Sequence, residues 1–346
     1  MPDFYPIARK FLFALDAERA HHVTLDLMNL ANRLGILSLL TGANRSTDSA
    51  DSSIEVMGLK FPNRVGLAAG LDKTGSCVDA FGAVGFGHVE VGTVTPRAQP
   101  GNPKPRLFRL KEHEAIINRM GFNNPGVDGM LSNLEKSHRK FQGILGINIG
   151  KNFDTPNEDF LSDYLKCFEG VYGKADYITA NLSSPNTKGL RDLQSEDTCR
   201  DLIISLQAKR EEIKDSHGGK LVPIVIKIAP DLEEGAIAGL GKVFSETGID
   251  GVITTNTTID RDLVKDHPLA KEAGGLSGSP AFQKSTQALA TLRSNMDEAI
   301  PIIASGGVMS REAAEAKLSA GAALVQVYTG LVYRGPGLIS EIASLG

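Results

Sequence analysis

Eight times between residues 65 and 327 the chain sets down a short apolar run and follows it with a helical segment, and this alternation constrains the fold more than any other feature. The runs fall at residues 65–69, 88–92, 144–149, 177–181, 222–228, 251–254, 302–305 and 323–327. Helical periodicity is clearest at 202–213, 233–247, 282–296 and 311–320. Runs this short and this apolar suit strands covered on both faces, which is the environment of a parallel sheet wrapped by helices. Eight such strands, each with its helix, predict an α/β fold of the (β/α)8 or TIM-barrel type, and residues 64–346 fit the usual size of one. A doubly wound sheet is the alternative, but eight regular units without a visible switch in direction favour closure.

The first 40 or so residues do not share this pattern. Phe4, Ile7, Ala8, Phe11, Leu12 and Leu15 recur at helical spacing, and Asp16 then stands where a helix N-cap would. A second helix carries Val23, Leu27, Leu30, Leu34 and Leu37 on one stripe, and residues 41–53 read as a polar linker. The expected organisation is therefore an N-terminal two-helix extension over 1–45, a linker and barrel-bottom segment over 46–63, and the barrel over 64–346. The extension is rich in Phe and Leu. It either caps the barrel or offers an apolar vestibule or membrane-surface patch, and the two readings are compatible. Arg9, Lys10, Asp16, Arg19, Asp26 and Arg33 interrupt its apolar stretches well short of the roughly 18 uncharged residues a membrane span needs. Phe11 to Leu15 is too short for a signal peptide, so the chain is expected to stay on the cytoplasmic side.

Composition removes several classes of function. With 37 basic and 41 acidic side chains the formal net charge is −4, so no general basic field calls for nucleic acid. The three cysteines, Cys77, Cys167 and Cys199, form no CxxC pair, which excludes a disulfide framework and any iron–sulfur or structural zinc site built from them alone.

In a barrel of this kind function gathers where strands end at their C-terminal side. Gly70-Leu71-Asp72-Lys73, Thr93, Asn148-Ile149-Gly150-Lys151, Asn181 to Asn186, Lys227, Thr255-Asn256-Thr257, Ser305-Gly306-Gly307 and Tyr328-Thr329-Gly330 occupy those ends. Glycine turns after the seventh and eighth strands are where such barrels commonly hold a phosphate on backbone N–H groups, and Gly274 to Gly278 offers a further loop nearby. Turns need glycine in any case, so the clusters count as a set and not singly. Lys73 and Lys227 close apolar strands, which makes each either half of an internal ion pair or a cation facing an electron-rich ligand. Asn118, Asn148, Asn181, Asn186 and Asn256 form an unusual amide set. Single asparagines mostly cap turns, but amides with donors and an acceptor each suit a planar ligand bearing carbonyls and ring N–H groups. No His–carboxylate cluster with metal spacing occurs at the strand ends, and no metal is expected.

The segments Ala68-Ala69-Gly70-Leu71-Asp72-Lys73, Gly101-Asn102-Pro103-Lys104-Pro105-Arg106, Asn118-Arg119-Met120-Gly121-Phe122, Asn181-Leu182-Ser183-Ser184-Pro185-Asn186, Lys227-Ile228-Ala229-Pro230-Asp231 and Thr255-Asn256-Thr257-Thr258 strongly resemble dihydroorotate dehydrogenase. The leader helices and a serine at 184 resemble the membrane-associated, quinone-dependent class 2 enzymes; the class 1 enzymes carry cysteine there and lack the leader. The resemblance runs in order through nearly the whole chain.

It implies oxidation of dihydroorotate to orotate in pyrimidine biosynthesis, with FMN as hydride acceptor and ubiquinone or menaquinone as final acceptor. It implies an FMN site at Ala69, Gly70, Leu71, Asp72, Lys73, Thr93, Asn148, Asn181, Lys227, Thr255, Gly278, Gly307, Tyr328 and Thr329. The pyrimidine would meet Lys73, Asn118, Arg119, Met120, Gly121, Phe122, Asn181, Asn186, Asn256 and Thr257, with Ser184 as the catalytic base. His21 and Arg109 would flank the quinone head group, and the protein would be a monomer lying peripherally on the cytoplasmic face of the inner membrane. A fumarate- or partner-linked flavin dehydrogenase, a flavin-free phosphosugar isomerase or aldolase, and a non-enzymatic membrane-surface module are the competing readings. A bound yellow cofactor that bleaches with substrate separates them.

Overall fold

The computed structural model describes residues 5–41, 52–187 and 189–345. Most of the expected linker at 41–53, and with it much of the expected 46–63 segment, lies outside the described residues.

The extension holds three helices where the sequence predicts two: α1 (Tyr5–Ala14), α2 (Ala17–Arg33) and the short α3 (Leu37–Thr41). Asp16 caps α2 as expected, its carboxylate accepting from the N–H groups of Glu18 and Arg19 at 3.0 Å each. The stripe expected to run on through Leu37 is cut by Gly35, which adopts φ +71°. Gly35 N–H then donates to Asn32 O and Ile36 N–H to Ala31 O, at 3.0 Å each, and the chain restarts as α3 with Leu37 buried.

A hairpin of β1 (Ile54–Val56) and β2 (Leu59–Phe61) leads into β3 (Val65–Leu67), α4 (Val78–Val84) and β4 (His88–Val94). An excursion follows, β5 (Leu107–Leu110) and β6 (Ala115–Asn118), before the alternation resumes with α5 (Gly126–Ser137), β7 (Ile144–Ile149), α6 (Phe160–Val171), β8 (Tyr177–Asn181) and α7 (Glu196–Ile213). It continues through β9 (Ile224–Ile228), α8 (Glu234–Thr247) and β10 (Gly251–Thr254) to a second excursion strand, β11 (Gly275–Gly278). α9 (Phe282–Ser294), β12 (Ile302–Ser305), α10 (Arg311–Ser319), β13 (Leu324–Val327), α11 (Thr329–Arg334) and α12 (Gly337–Ala343) complete the chain.

Strands β3, β4, β7, β8, β9, β10, β12 and β13 pair in parallel in that order, and β13 closes on β3 through Val325–Val65 and Val327–Leu67. The barrel is therefore closed, and its strands are the eight apolar runs. The first run is shorter than the sequence predicts, because Gly70 at φ +101° turns the chain out toward the cleft.

The excursions leave the same end of the barrel and meet there. β6 pairs with both β5 and β11 in an antiparallel sheet, with Asn118 opposite Leu107 on one side and Gly275 on the other. Gly274 to Gly278, read from sequence as a loop, is thus largely a strand. The small sheet has its own core of Leu110, Ala115, Ile117, Val264 and Leu276.

The extension docks on this excursion and on α11. Glu18, buried on α2, pairs with Arg106 at 2.8 Å and Lys104 at 3.2 Å. Burial alone would raise its carboxyl, but the hydrogen bonds and charges of Arg106 and Lys104 outweigh that and hold it at about 2. Tyr5 donates to Val332 O at 2.7 Å, and Phe13 meets the Tyr333 ring edge-on at 5.3 Å. α2 and α3 also pack on the barrel side, with Leu37 in the main core, Leu25, Met28 and Ala31 against it, and Asn29 donating to Ser76 O at 3.2 Å, while the opposite face points outward. Ile7, Phe11, Leu27, Leu30, Leu34, Ile36, Leu39 and Leu40 are exposed, eight of the thirteen large apolar side chains so placed among the described residues. No described helix is long and apolar enough to cross a membrane.

Candidate active site

A cleft of about 990 Å³, partly open to solvent, lies at the C-terminal end of the barrel beneath the three-stranded sheet. It gathers Ala69, Gly70, Lys73, Thr93, Asn118, Met120, Gly121, Phe122, Asn181, Ser184, Asn186, Lys227, Thr255, Asn256, Thr257, Gly278, Gly307, Tyr328 and Thr329. Residues far apart in sequence converge because each closes a barrel strand or an excursion strand.

The floor is a connected polar network. Thr93 Oγ1 donates to Asn148 Oδ1 at 2.5 Å, and Asn181 Nδ2 donates to the same two oxygens at 3.1 and 3.2 Å. Asn148 Nδ2 passes the chain down to Glu90 at 2.8 Å. The carboxylate of Glu90 is fully buried and accepts further bonds from Tyr177, Thr179 and Gln326 at 2.9, 3.2 and 2.9 Å. Lys227, 4% exposed, feels the attraction of Glu90 but makes no protein hydrogen bond among the described residues, and burial drives its ammonium below the usual lysine range.

On the sheet side Asn186 Nδ2 donates to Asn118 Oδ1 at 3.2 Å, while Asn186 Oδ1 is buried without a partner. Asn256 Nδ2 donates to Ser183 Oγ at 3.0 Å and Asn181 Oδ1 at 3.3 Å. Ser184, 4% exposed, accepts from the N–H of Asn186 at 3.2 Å, and no carboxylate or imidazole is hydrogen-bonded to it. Lys73 donates to the carbonyl of Gly70. Burial, helped by the charge of Arg106 and opposed by Glu18 and Asp72, brings it down to about 8.

Four expected contact residues do not line the cleft. Leu71 packs into the main core. Asp72 is fully buried and turns its carboxylate on the following loop, accepting from Cys77 N–H at 2.8 Å and Ser76 N–H at 3.0 Å, so it shapes the Lys73 loop. Asn148 lies one layer down, orienting Thr93 and Asn181. Arg119 points away to Glu272 at 2.7 Å and stacks over Phe108 at 4.6 Å.

His21 sits on α2 within the electrostatic reach of Lys73. Burial first, then the charges of Lys73 and His22, takes its imidazole down to about 3, so it is neutral near pH 7. Arg109 lies on β5, bonded to the carbonyls of Leu12 (3.1 Å) and Leu15, its guanidinium 4.7 Å from the Phe13 ring centre. It pins the junction of α1 and α2.

Sequence reasoning missed Glu90 and Gln326; Gln326 is a lone polar residue inside an otherwise apolar strand and so carries a readable signal, whereas Glu90 shares β4 with His88 and Thr93. Ser277, Ala281, Val308 and Met309, which also line the cleft, carry none.

Fold and site together define a (β/α)8-barrel protein whose cleft is lined by amides and lysines, with glycine turns at one end. The family model described as dihydroorotate dehydrogenase matches residues 52–344, and the chain belongs to that family. It is 54% identical over 337 residues to the dihydroorotate dehydrogenase (quinone) of Stenotrophomonas maltophilia strain K279a, covering 97% of this chain and 94% of the relative. It is 52% identical to the dihydroorotate dehydrogenase (quinone) of Neisseria meningitidis serogroup C strain FAM18, covering 97% and 98%. Among solved structures, DHODH from Eimeria tenella in complex with ferulenol superposes with a TM-score of 0.81 at 39% identity, covering 91% of this chain and 89% of that one.

Proposed function

We propose that this chain oxidises (S)-dihydroorotate to orotate and passes the electrons to a membrane quinone. Family membership and the cleft support the same reading. The observation that carries it is the joining of Ser184, Lys73, Asn118, Asn181, Asn186 and Asn256 in one cleft with a buried Lys227 that has no protein acceptor among the described residues.

The cleft fits FMN on its own chemistry. Lys227 is a buried cation without a protein acceptor, and Gln326 Oε1 is a buried carbonyl without a donor. Gly306 and Gly307, at φ +101° and +76°, bring bare backbone to the wall where a phosphate is expected. Ala69, Gly70, Thr93, Asn181, Lys227, Thr255, Gly278, Gly307, Tyr328 and Thr329 would hold the cofactor. When bound, FMN supplies the hydride acceptor that no side chain can provide.

The chain's own residues then have distinct tasks. Asn118, Asn186, Asn256 and Thr257 present amide and hydroxyl groups to the pyrimidine, and Met120, Gly121 and Phe122 close around it. Lys73 attracts the substrate carboxylate and favours loss of the C5 proton by stabilising negative charge. Ser184 takes that proton. A serine hydroxyl is a weak base, so it must pass its own proton to water as it accepts the new one. Lys227 stabilises negative charge at the cofactor end of the cleft. Glu90, through Asn148, fixes the amides that meet the cofactor.

His21 and Arg109 are assigned to the quinone head group, with α1 to α3 forming the apolar approach. The exposed Phe and Leu side chains of that extension would rest on the inner membrane's cytoplasmic face without spanning it. On this reading residues 1–45 are a quinone-tunnel and membrane-associating part, 46–63 a linker, and 64–346 the catalytic barrel, all acting as a monomer. The test is anaerobic orotate formation from dihydroorotate with a short-chain quinone, fumarate or NAD+ as acceptor. Turnover with quinone alone is expected, and turnover with fumarate but not quinone would overturn the assignment.

A further inference from the structure

Lys317 is fully buried on α10 and takes no part in the chemistry above. A buried ammonium ordinarily collects acceptors, as Lys151 does with two backbone carbonyls at 2.6 and 3.3 Å. Lys317 has one acceptor, the hydroxyl of Ser285 at 2.6 Å, and the face of the Phe282 ring 5.3 Å away. Ser285 Oγ in turn lies 2.9 Å from the carbonyl of Gly306 and 3.0 Å from that of Phe282. Ammonium, hydroxyl and glycine loop thus form one continuous chain of hydrogen bonds.

The loop lies close against this support. A Cβ on Gly306 would meet Ser285 Oγ at 2.9 Å, and one on Gly307 would meet the backbone nitrogen of Phe282 at 2.7 Å. The front of the same loop is the cleft wall, with Ala281, Gly306, Gly307, Thr329 and Gly330 all lining it. From α9 the groups facing Lys317 are Phe282 and Ser285, and from the loop Gly306; none titrates, and no described carboxylate or cation contributes to its shift, which burial alone brings to about 7. Among the described residues no anion matches this buried charge.

We propose that Lys317 is the countercharge for an anionic group bound on the cleft side of the Gly306–Gly307 loop, and that it selects a phosphorylated flavin over its dephosphorylated form. The proposal rests on the FMN reading given above. Lys317 is a positioning residue that acts through Ser285 and the loop without touching the ligand.

The test compares FMN with riboflavin, which lacks the phosphate, on the apo-form of the full chain. Lys317→Met is expected to weaken FMN on the order of tenfold, the loss of one attractive charge in a poorly solvated site, while riboflavin changes by less than about twofold. A dianion in front of the loop favours the protonated lysine. Wild-type FMN affinity should therefore fall as the pH is raised from about 7 toward 9. Referenced to riboflavin, which meets the same Lys73 and Lys227, that slope should vanish in Lys317→Met. Ser285→Ala, which slackens the loop and keeps the charge, should retain it.

Equal loss of FMN and riboflavin affinity, an unchanged FMN affinity, or a pH slope that survives in Lys317→Met would each overturn the proposal while leaving the flavin reading intact. A wild-type chain that binds neither flavin would overturn both. If Lys317→Met does not fold, the proton uptake by the wild type at pH 8 on binding FMN, in excess of that on binding riboflavin, decides. A measurable fraction of a proton supports the proposal, and none refutes it.

Discussion

At the scale of single residues the cleft works by denying groups their ordinary partners. Ser184 has a backbone N–H and no side-chain base, so its role depends on where substrate is held. Ser184→Ala should slow dihydroorotate-dependent flavin bleaching by roughly 10²-fold with FMN still bound, as followed by anaerobic stopped-flow absorbance. Bleaching at the wild-type rate would remove Ser184 from the mechanism. Lys73, brought down to about 8 by burial and by Arg106, makes orotate binding depend on pH. A cation favours the orotate carboxylate, and the carboxylate favours the cation. Affinity should therefore be level below about pH 8 and fall above it. In Lys73→Gln it should be roughly tenfold weaker and flat across that range, which fluorescence titration would reveal.

Between elements, the decisive contacts join parts the sequence does not place together. The Glu18 carboxylate holds α2 against Arg106, and Glu18→Ala would leave that buried guanidinium without its anion, costing about 3 kcal/mol of docking. Faster proteolysis within α1 to α3, with the barrel intact, is the expected result. Because the folded carboxyl lies near 2 against an ordinary 4.5, the contact contributes fully above about pH 4.5 and is lost as the pH falls toward 2. The extension should therefore undock in acid, and proteolysis at graded pH will show where.

The barrel strands were legible because eight buried parallel strands leave eight apolar runs, and the glycine and amide residues at their ends marked most of the cleft. The sheet of β5, β6 and β11 was not, since β11 is glycine-rich and sits on a separate excursion from its partner β6. Glycines 275 and 278 look like a turn until β6 is placed beside them. Asp72, Asn148 and Arg119 show the converse limit. A motif says that a residue matters, but only packing shows whether it faces the ligand, the loop behind it or a neighbouring carboxylate.

For the whole molecule, the proposed function asks one cleft to serve two unlike reactants, a polar pyrimidine under the small sheet and an apolar acceptor arriving through the extension. The two surfaces are separate: the amide set belongs to the barrel and the excursions, whereas eight of the thirteen exposed large apolar side chains among the described residues belong to α1, α2, α3 and the turns between them. Removing residues 1–50 should therefore leave a folded, FMN-loaded barrel that still oxidises dihydroorotate in a single turnover but reacts at least about tenfold more slowly with quinone. An undiminished quinone reaction in that shortened protein would refute the apolar approach. The central claim, that this one chain joins both half-reactions, is tested most directly by its visible spectrum. Under anaerobic conditions a flavin band should bleach with stoichiometric dihydroorotate and return on addition of a soluble quinone. A colourless protein that cannot be reconstituted with FMN, or a band that bleaches and ignores quinone, would contradict it.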